Sequence, residues 1–104
     1  MKNPLRSEVW IVNLGMVAKI RPCAVISVPI LDEDRALIAV IPHTTQPRGT
    51  RFEAQVSVPF LRAGVFDAQG LQNAVPARFE RRLGALTDEQ MQDIEDAVCE
   101  WLGL

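Results

Sequence analysis

The chain has 104 residues, of which 48% are hydrophobic and 23% charged, a composition that is ordinary for a soluble globular domain and gives no sign of disorder. No apolar stretch approaches the roughly 20 residues that span a bilayer, and the first residues, MKNPLRSEVW, lack the apolar core of a signal peptide. We therefore expect a single domain over residues 1–104, located in the cytoplasm and not in a membrane. The formal net charge of −2 taken alone argues against a polyanionic partner.

The charges are, however, unevenly distributed along the chain. Residues 87–104 carry six acidic side chains and no Lys or Arg, whereas the other 86 residues carry eleven basic and seven acidic side chains, a balance of +4. Salt screens a charge over about 8 to 10 Å, so a locally basic surface can bind a polyanion despite an acidic total. Charge alone leaves two interpretations open: a polyanion-binding surface, or scattered surface arginines beside a solvated acidic helix.

Six segments have the β-rich patterns that predict strands. The run ALIAVIP at 36–42 is apolar throughout, which indicates a central strand covered on both faces. The run FEAQVSV at 52–58 alternates apolar and polar residues, and the run at 64–72 is interrupted by Gly70. The predicted strands are 8–14, 23–30, 36–42, 52–58, 64–72 and 82–86.

The pattern changes to a helical period after residue 86. Thr87 followed by Gln90 is a capping-box pattern, and Gly103 is a typical helix stop. The apolar residues at helical spacing are Met91, Ile94, Val98, Trp101 and Leu102. This stripe predicts a helix packed on the sheet. The connections between most of the predicted strands are too short to contain a crossover helix. We therefore expect a mainly β fold with a C-terminal helix, in which five to seven mostly antiparallel strands form a small barrel-like sheet.

The residue types needed for familiar metal and hydrolase chemistry are scarce. His43 is the single histidine, and the two cysteines, Cys23 and Cys99, lie far apart in apolar contexts, so we expect both thiols to be buried and reduced and no zinc site to form. The acidic triplet 32–34 is followed by Arg35 and indicates a polar turn more than a cation site. We expect neither a metal nor a cofactor.

The residues that can bind an anion lie at two strand ends. Arg21 precedes Pro22, which favours extended backbone before it, and a guanidinium can hold a phosphate with two parallel hydrogen bonds. Thr44 and Thr45 follow Pro42 at the end of another predicted strand. If the two ends lie side by side, Arg21 and Thr44 converge on one anionic group; otherwise they are ordinary rim residues.

Five segments carry a resemblance to a known family. They are SEVWIVNLG, KIRPCAVIS, VIPHTT, the strand with Gln69, and RRLGALTDEQMQDIEDAVCEWLGL. In this order and spacing the sequence resembles the MazF/PemK (Kid-type) toxins of type II toxin–antitoxin modules over nearly its whole length. The resemblance implies an SH3-like small barrel and a homodimer. It also implies a cognate antitoxin partner, and DNA binding by the toxin–antitoxin complex.

The resemblance further implies a metal-independent, sequence-specific endoribonuclease. Its reaction on single-stranded RNA leaves a 2′,3′-cyclic phosphate and a 5′-hydroxyl end. Arg21 and Thr44 correspond to the family's catalytic arginine and threonine. The residues considered for substrate contact are Lys19, His43, Thr45, Arg48, Arg51 and Gln69.

The sequence also departs from the family pattern. Ser7 replaces a usual glycine, and the connection 15–20 is shorter than in many members, which leaves the sequence preference open. Ala68 stands before Gln69 where an aspartate is common, which leaves a base contact by Gln69 open. An extended strand would point His43 away from Thr44 and favours a structural or rim role for it. Two alternatives of the same architecture remain: a gyrase-binding toxin of the CcdB type, acting through the ending CEWLGL, and an inactive antitoxin-binding scaffold.

Overall fold

The computed structural model describes residues 3–15 and 19–104, which form an antiparallel sheet followed by one helix. The helix α1 spans Asp88–Leu102. The strands are β1 (Glu8–Asn13), β2 (Ile20–Val25), β3 (Ile38–Thr44), β4 (Glu53–Ala54), β5 (Val65–Asp67), β6 (Gln72–Ala74) and β7 (Phe79–Ala85). The middle of the predicted connection 15–20 lies outside the described residues.

The strands pair in the order β4-β5-β3-β2-β1-β7, and β6 also pairs with β3. Every described pairing is antiparallel. Within the described ranges, no pairing joins β4 to β7, so the sheet is curved but not closed. The prediction of a mainly β fold with five to seven antiparallel strands and a C-terminal helix is confirmed, with an open sheet in place of a closed barrel.

The bounds of the predicted strands change in the structure, and the strand predicted at 36–42 begins and ends two residues later, at Ile38–Thr44. The strand predicted at 23–30 begins earlier, at Ile20, and ends at Val25, because the chain then leaves the sheet into an exposed connection. The segment 52–58 keeps its alternation, with Ala54 and Val56 buried, but pairs only at Glu53–Ala54. Its partner β5 is three residues long, so the backbone ladder ends where the partner ends.

The predicted strand 64–72 is two strands joined by a 3₁₀ turn at Ala68–Gly70. The Asp67 side chain accepts the backbone N–H of Gln69 and starts this turn. As a result β5 pairs with the end of β3 and β6 with its beginning. The last strand begins at Phe79, three residues before the predicted position of 82.

The helix has the predicted ends. The hydroxyl of Thr87 accepts the N–H of Gln90 at 3.2 Å, the N–H of Thr87 donates to the Gln90 side chain at 2.9 Å, and Gly103 ends the helix with a φ of 73°. The helix buries Met91, Ile94, Ala97 and Val98.

The prediction that the apolar stripe packs on the sheet along the whole helix is wrong for the last turn. Trp101 and Leu102 are 43% and 50% exposed because this turn extends past the sheet, and the Trp101 ring meets only the edge of the Phe52 ring, at 5.2 Å. The prediction that both thiols are buried fails for Cys99, which lies on the solvent side of the helix. Cys23 is buried, and this burial raises the pKa of its thiol to about 12.

Apolar side chains cover both faces of the central strands. One cluster, which includes Val9, Ile41 and Phe66, packs between the sheet and the helix, while Val12 and Val40 belong to a second cluster on the opposite face. This arrangement explains the uninterrupted apolar run of β3. No helix in the described part of the chain is long and apolar enough to cross a membrane.

Candidate functional site

The pairing of β2 with β3 brings Arg21 and Thr44 together. Cys23 lies opposite Pro42 in this pair of strands. Continuing the same register by two residues places Arg21 opposite Thr44, and the period of two puts both side chains on the face of Cys23 and Pro42. Arg21 and Thr44 both line one cavity of about 500 Å³, which we call the Arg21–Thr44 cavity.

The same reasoning brings two carboxylates to this face. The register of β3 with β5 pairs Thr44 with Val65 and so sets Asp67 on the face of Thr44. Glu53 lies opposite Asp67 in the pairing of β4 with β5. Both carboxylates line the Arg21–Thr44 cavity, together with Arg48 and the amides of Gln46 and Gln72.

The Thr44 hydroxyl is held from one side by a backbone N–H group. Its oxygen accepts the N–H of Gln46 at 3.1 Å. A hydroxyl has one donor and two acceptor positions, so this bond leaves the O–H of Thr44 as a donor. An anionic oxygen in the cavity can accept that proton while Arg21 and Arg48 supply positive charge.

The two carboxylates have different surroundings. Glu53 accepts the N–H groups of Arg48, Gly49 and Thr50 at 3.0, 2.8 and 3.2 Å. These bonds, the one from Arg48 first, hold the pKa of Glu53 below its ordinary value, so Glu53 fixes the loop as an ionised carboxylate. Asp67 accepts the Gln69 N–H through Oδ1 at 3.0 Å, and Oδ2 has no hydrogen-bond partner among the described residues.

His43 lies behind the anion-binding face. It pairs with Phe66 in the register and packs edge-on against that ring at 5.0 Å, yet it also borders the Arg21–Thr44 cavity. The side chain is 3% exposed, and Nε2 has no hydrogen-bond partner among the described residues. Burial lowers the pKa of His43, which favours a neutral imidazole.

Gly64 lets β5 approach β3 at this point. A Cβ at position 64 would come within 2.2 Å of the Thr44 carbonyl oxygen and 2.7 Å of the His43 ring. A side chain there would force the end of β3 away from β5. The backbone that carries Thr44 therefore depends on the absence of a side chain at a residue that sequence reasoning did not select.

The other predicted substrate residues are dispersed. Thr45 is exposed just after β3 and borders two neighbouring surface depressions. Lys19 borders a separate shallow depression together with Arg78. Arg51 donates to Glu100 at 2.7 Å and lies over the Phe52 ring. Gln69 is exposed in the 3₁₀ turn and is not among the described residues that line the Arg21–Thr44 cavity.

Sequence reasoning missed the two carboxylates. The alternation of 52–58 did predict that Glu53 lies on the polar face of its segment, but it could not show that this face borders Arg21. Asp67 precedes Ala68, the position where the family pattern has its aspartate, and the 3₁₀ turn brings this earlier carboxylate to the cavity. Among the described residues, no group of three or more His, Cys, Asp or Glu could hold a metal ion.

The fold is that of small toxins with an antiparallel sheet and one C-terminal helix. An endoribonuclease in complex with its cognate antitoxin from a mycobacterial species superimposes with a TM-score of 0.83 at 22% identity, over 98% of this chain and 97% of that chain. The Mycobacterium tuberculosis toxin MazF-mt6 gives 0.79 at 23%, over 93% and 97%. The MazE–MazF complex of Deinococcus radiodurans gives 0.81 at 19%, over 100% and 99%.

The family itself follows from the sequence match. The model of the PemK-like, MazF-like toxins of type II toxin–antitoxin systems matches residues 5–102. The chain belongs to this toxin family, and the resemblance drawn from its motifs is confirmed.

Glu53 makes a pH-dependent contribution to stability that a substitution can measure. Because the folded pKa lies below the ordinary value of 4.5, the contribution is complete above that value and is lost as the pH falls through the folded pKa. We expect Glu53→Gln to lower the melting temperature at neutral pH and to differ less from the wild type in acid, as followed by circular dichroism. Glu33→Gln, in an exposed turn, is the matched control. A Glu53→Gln difference that is equal at both pH values would contradict this role.

Proposed function

We propose that this chain is an endoribonuclease toxin that cleaves single-stranded RNA at short sequences, and that residues 1–104 act as one toxin domain. The observation that carries the proposal is the placement of Arg21 and Thr44 on one face of adjacent strands, in a cavity that also holds Arg48. Paired RNA cannot present an unstacked base and an in-line phosphate, which is why an unpaired strand is the expected substrate.

The proposed reaction is an internal transfer at one phosphate. The ribose 2′-oxygen loses its proton to a base and attacks the adjacent phosphorus, while the bond from phosphorus to the 5′-oxygen breaks. The departing 5′-oxygen takes up a proton from water, and the products are a 2′,3′-cyclic phosphate and a 5′-hydroxyl. Arg21 balances the negative charge that grows on the phosphate oxygens, and the O–H of Thr44 donates to one of them. This assignment places charge stabilisation on a guanidinium and needs no metal ion.

Asp67 is the best-placed group to accept the 2′-proton. It borders the same cavity, and its Oδ2 atom is not engaged by another described residue. Glu53 is a weaker base because three backbone N–H groups hold its negative charge. The structure therefore supports a division in which Glu53 fixes the loop and Asp67 moves the proton.

The remaining predicted residues act on the substrate outside the reacting centre in this proposal. Arg48 lies in the cavity and can contact the scissile phosphate or the next one. Lys19, Thr45 and Gln69 are exposed and can contact a longer strand. Arg51 would have to exchange Glu100 for a phosphate, which makes its contact the weakest of the set.

The proposed partners are an antitoxin and a second copy of the chain. Similar structures contain a cognate antitoxin in the mycobacterial complex and MazE in the Deinococcus radiodurans complex. A flexible acidic segment that folds on binding would match the arginines of the Arg21–Thr44 cavity. We propose that such a segment occludes this cavity and that the toxin acts as a homodimer.

One observation is a reason to test the gyrase-binding alternative by experiment. Trp101 and Leu104 are 43% and 86% exposed at the end of the helix, so the ending CEWLGL presents apolar groups to solvent, although the sequence pattern placed Trp101 on the stripe packed on the sheet. The family match and the cavity favour RNA cleavage over this alternative.

Removal of either catalytic side chain should abolish most RNA cleavage. Loss of one charge-stabilising donor commonly costs about 10²–10³ in rate, and we expect Arg21→Ala and Thr44→Ala each to fall in this range on a long single-stranded RNA in EDTA. Arg35→Ala, an exposed arginine in a turn, is the control. Sequencing of the new 5′-hydroxyl ends gives the cut sites.

Three outcomes of this experiment would count against the proposal. Wild-type protein could leave every RNA intact, cleavage could be unchanged in Arg21→Ala, or purified gyrase could be inhibited by a protein that cuts no RNA. The last outcome would establish the gyrase-binding alternative.

Substitution of Asp67 separates a proton acceptor from a structural cap. An asparagine at this position would keep the oxygen that accepts the Gln69 N–H, so Asp67→Asn should preserve the turn while lowering kcat by roughly a hundredfold or more, the usual size of a general-base contribution. We expect KM to change little. An unchanged kcat in Asp67→Asn would assign the proton to another group.

An antitoxin should compete with RNA. We expect the acidic protein that co-purifies after co-expression of a neighbouring reading frame to displace a fluorescent single-stranded RNA from the toxin, measured by anisotropy, because both need the same arginines. Light scattering on the free toxin should give the mass of two chains. Full-strength binding of both ligands at once, or a monomeric mass, would contradict the corresponding part of the proposal.

A further inference from the structure

A second cavity lies beside the proposed site, and the described contacts do not fill it. Phe60 and Leu61 face the strand residues Ile11, Pro22 and Leu83 across a groove of about 360 Å³. Arg62 and Arg81 are exposed at its rim. We call this depression the Phe60–Arg81 groove, and its volume falls within the range of small-ligand sites.

The groove belongs to the other face of the sheet. Ile11 lies opposite Pro22 in one pairing and opposite Arg81 in another, so all three side chains share a face. Arg21, one residue before Pro22, has its side chain on the opposite face by the period of two. Phe60 packs against the backbone at Gly84, where a Cβ would lie 2.6 Å from the ring. The loop that carries Phe60 is therefore held close against β7.

The charges around the groove are of one sign. Arg62 and Arg81 carry the charge at its rim, Arg21 borders it with its side chain on the other face of the sheet, and no carboxylate is among its described lining residues. The Arg21–Thr44 cavity, in contrast, holds two carboxylates together with its arginines. An apolar floor with cations at the rim and no acidic group fits a flat ring that carries a phosphate.

The groove is continuous with the proposed site. Arg21 and His43 border both depressions, while Thr44 borders the first and the next residue, Thr45, borders the second. The end of β3 is therefore the ridge between them. An RNA strand whose scissile phosphate lies at Thr44 can cross this ridge over Thr45 and place its neighbouring nucleotide in the groove.

The ridge also contains an unsatisfied polar atom. The His43 side chain is 3% exposed, and its Nε2 is buried without a hydrogen-bond partner in the described part of the chain. Buried polar atoms are nearly always paired in native proteins, so an unpaired one on the wall of a groove calls for an explanation. The His43 ring borders the groove, so a base bound there would contact this ring.

We propose that the Phe60–Arg81 groove is a nucleotide-binding subsite for the RNA residue next to the scissile phosphate. The base lies between Phe60 and the apolar strand residues, Arg62 and Arg81 hold the flanking phosphate, and His43 contributes to the choice of base. This inference rests on the proposed function, because it takes the position of the scissile phosphate from it. It adds a second specificity element on the opposite face of the sheet.

Subsite occupancy can be measured with substrates of different length. A dinucleotide that spans a mapped cut site is compared with trinucleotides extended by one residue on either side, and the gain is the ratio of their kcat/KM values. Extension on one side should raise kcat/KM about tenfold, the value of one stacked base. The gain should become smaller in Arg62→Ala/Arg81→Ala, which lacks the contacts to the flanking phosphate, and remain unchanged in the matched control Arg35→Ala. A gain that is equal in the wild-type protein and in Arg62→Ala/Arg81→Ala would overturn the proposal.

The salt dependence of binding isolates the arginines from the chemistry. A fluorescent single-stranded DNA lacks the attacking 2′-hydroxyl and reports binding alone. Each arginine that holds a phosphate should reduce the slope of log K against log salt by about 0.7 when it is removed. This measurement tests the groove even if the wild-type protein cuts no RNA, a result that would refute the proposed function by itself. An unchanged slope in both arginine variants would refute the groove.

His43→Leu tests the choice of base, and protein partners supply the competing explanations. We expect the wild-type gain to depend on the identity of the added base and this dependence to shrink in His43→Leu. If Arg62→Ala/Arg81→Ala instead changes the mass of the toxin in light scattering, or weakens only antitoxin binding, the groove is a protein interface and the subsite is wrong.

Discussion

The site depends on the register of one buried strand. β3 pairs with β2 on one side and with β5 on the other, and Val40 and Ile41 are fully buried on its opposite faces. A shift of the β3 register by one residue would turn each of these side chains to the other face of the sheet. It would also turn Thr44 to the face opposite Arg21. Apolar burial in the middle of the strand therefore fixes the geometry at its polar end. The charged cavity is stabilised by residues that never contact it.

Local patterns predicted the parts of the fold that depend on neighbours in sequence. The helix ends could be predicted because the Thr87–Gln90 capping box and Gly103 act within a few residues. The nearness of Arg21 to Thr44 came from the family resemblance, since residues 21 and 44 carry no local signal that their strands are paired. Glu53 and Asp67 were missed for the same reason: they meet through a two-residue pairing that no periodicity reveals. The exposure of Trp101 depends on how the last turn of the helix packs, which is a property of the tertiary structure.

The two depressions differ in the charges of the residues that line them. In the Arg21–Thr44 cavity the arginines share the lining with two carboxylates, so positive and negative charges are close to balanced. In the Phe60–Arg81 groove the described lining contains arginines and no carboxylate, so the groove can attract an anion but has no acidic group to accept a proton. In the proposed function, the groove would attract the RNA and the cavity would cleave it. The negative total charge of the chain hides this arrangement because the acidic residues are concentrated on the helix.

Gly64 gives the proposed site a weakness that its charged residues do not reveal. The residue bears no functional group, yet a single methyl at this position would collide with the Thr44 carbonyl and the His43 ring. A substitution at position 64 would therefore disable the proposed site without removing any of its charged or polar side chains.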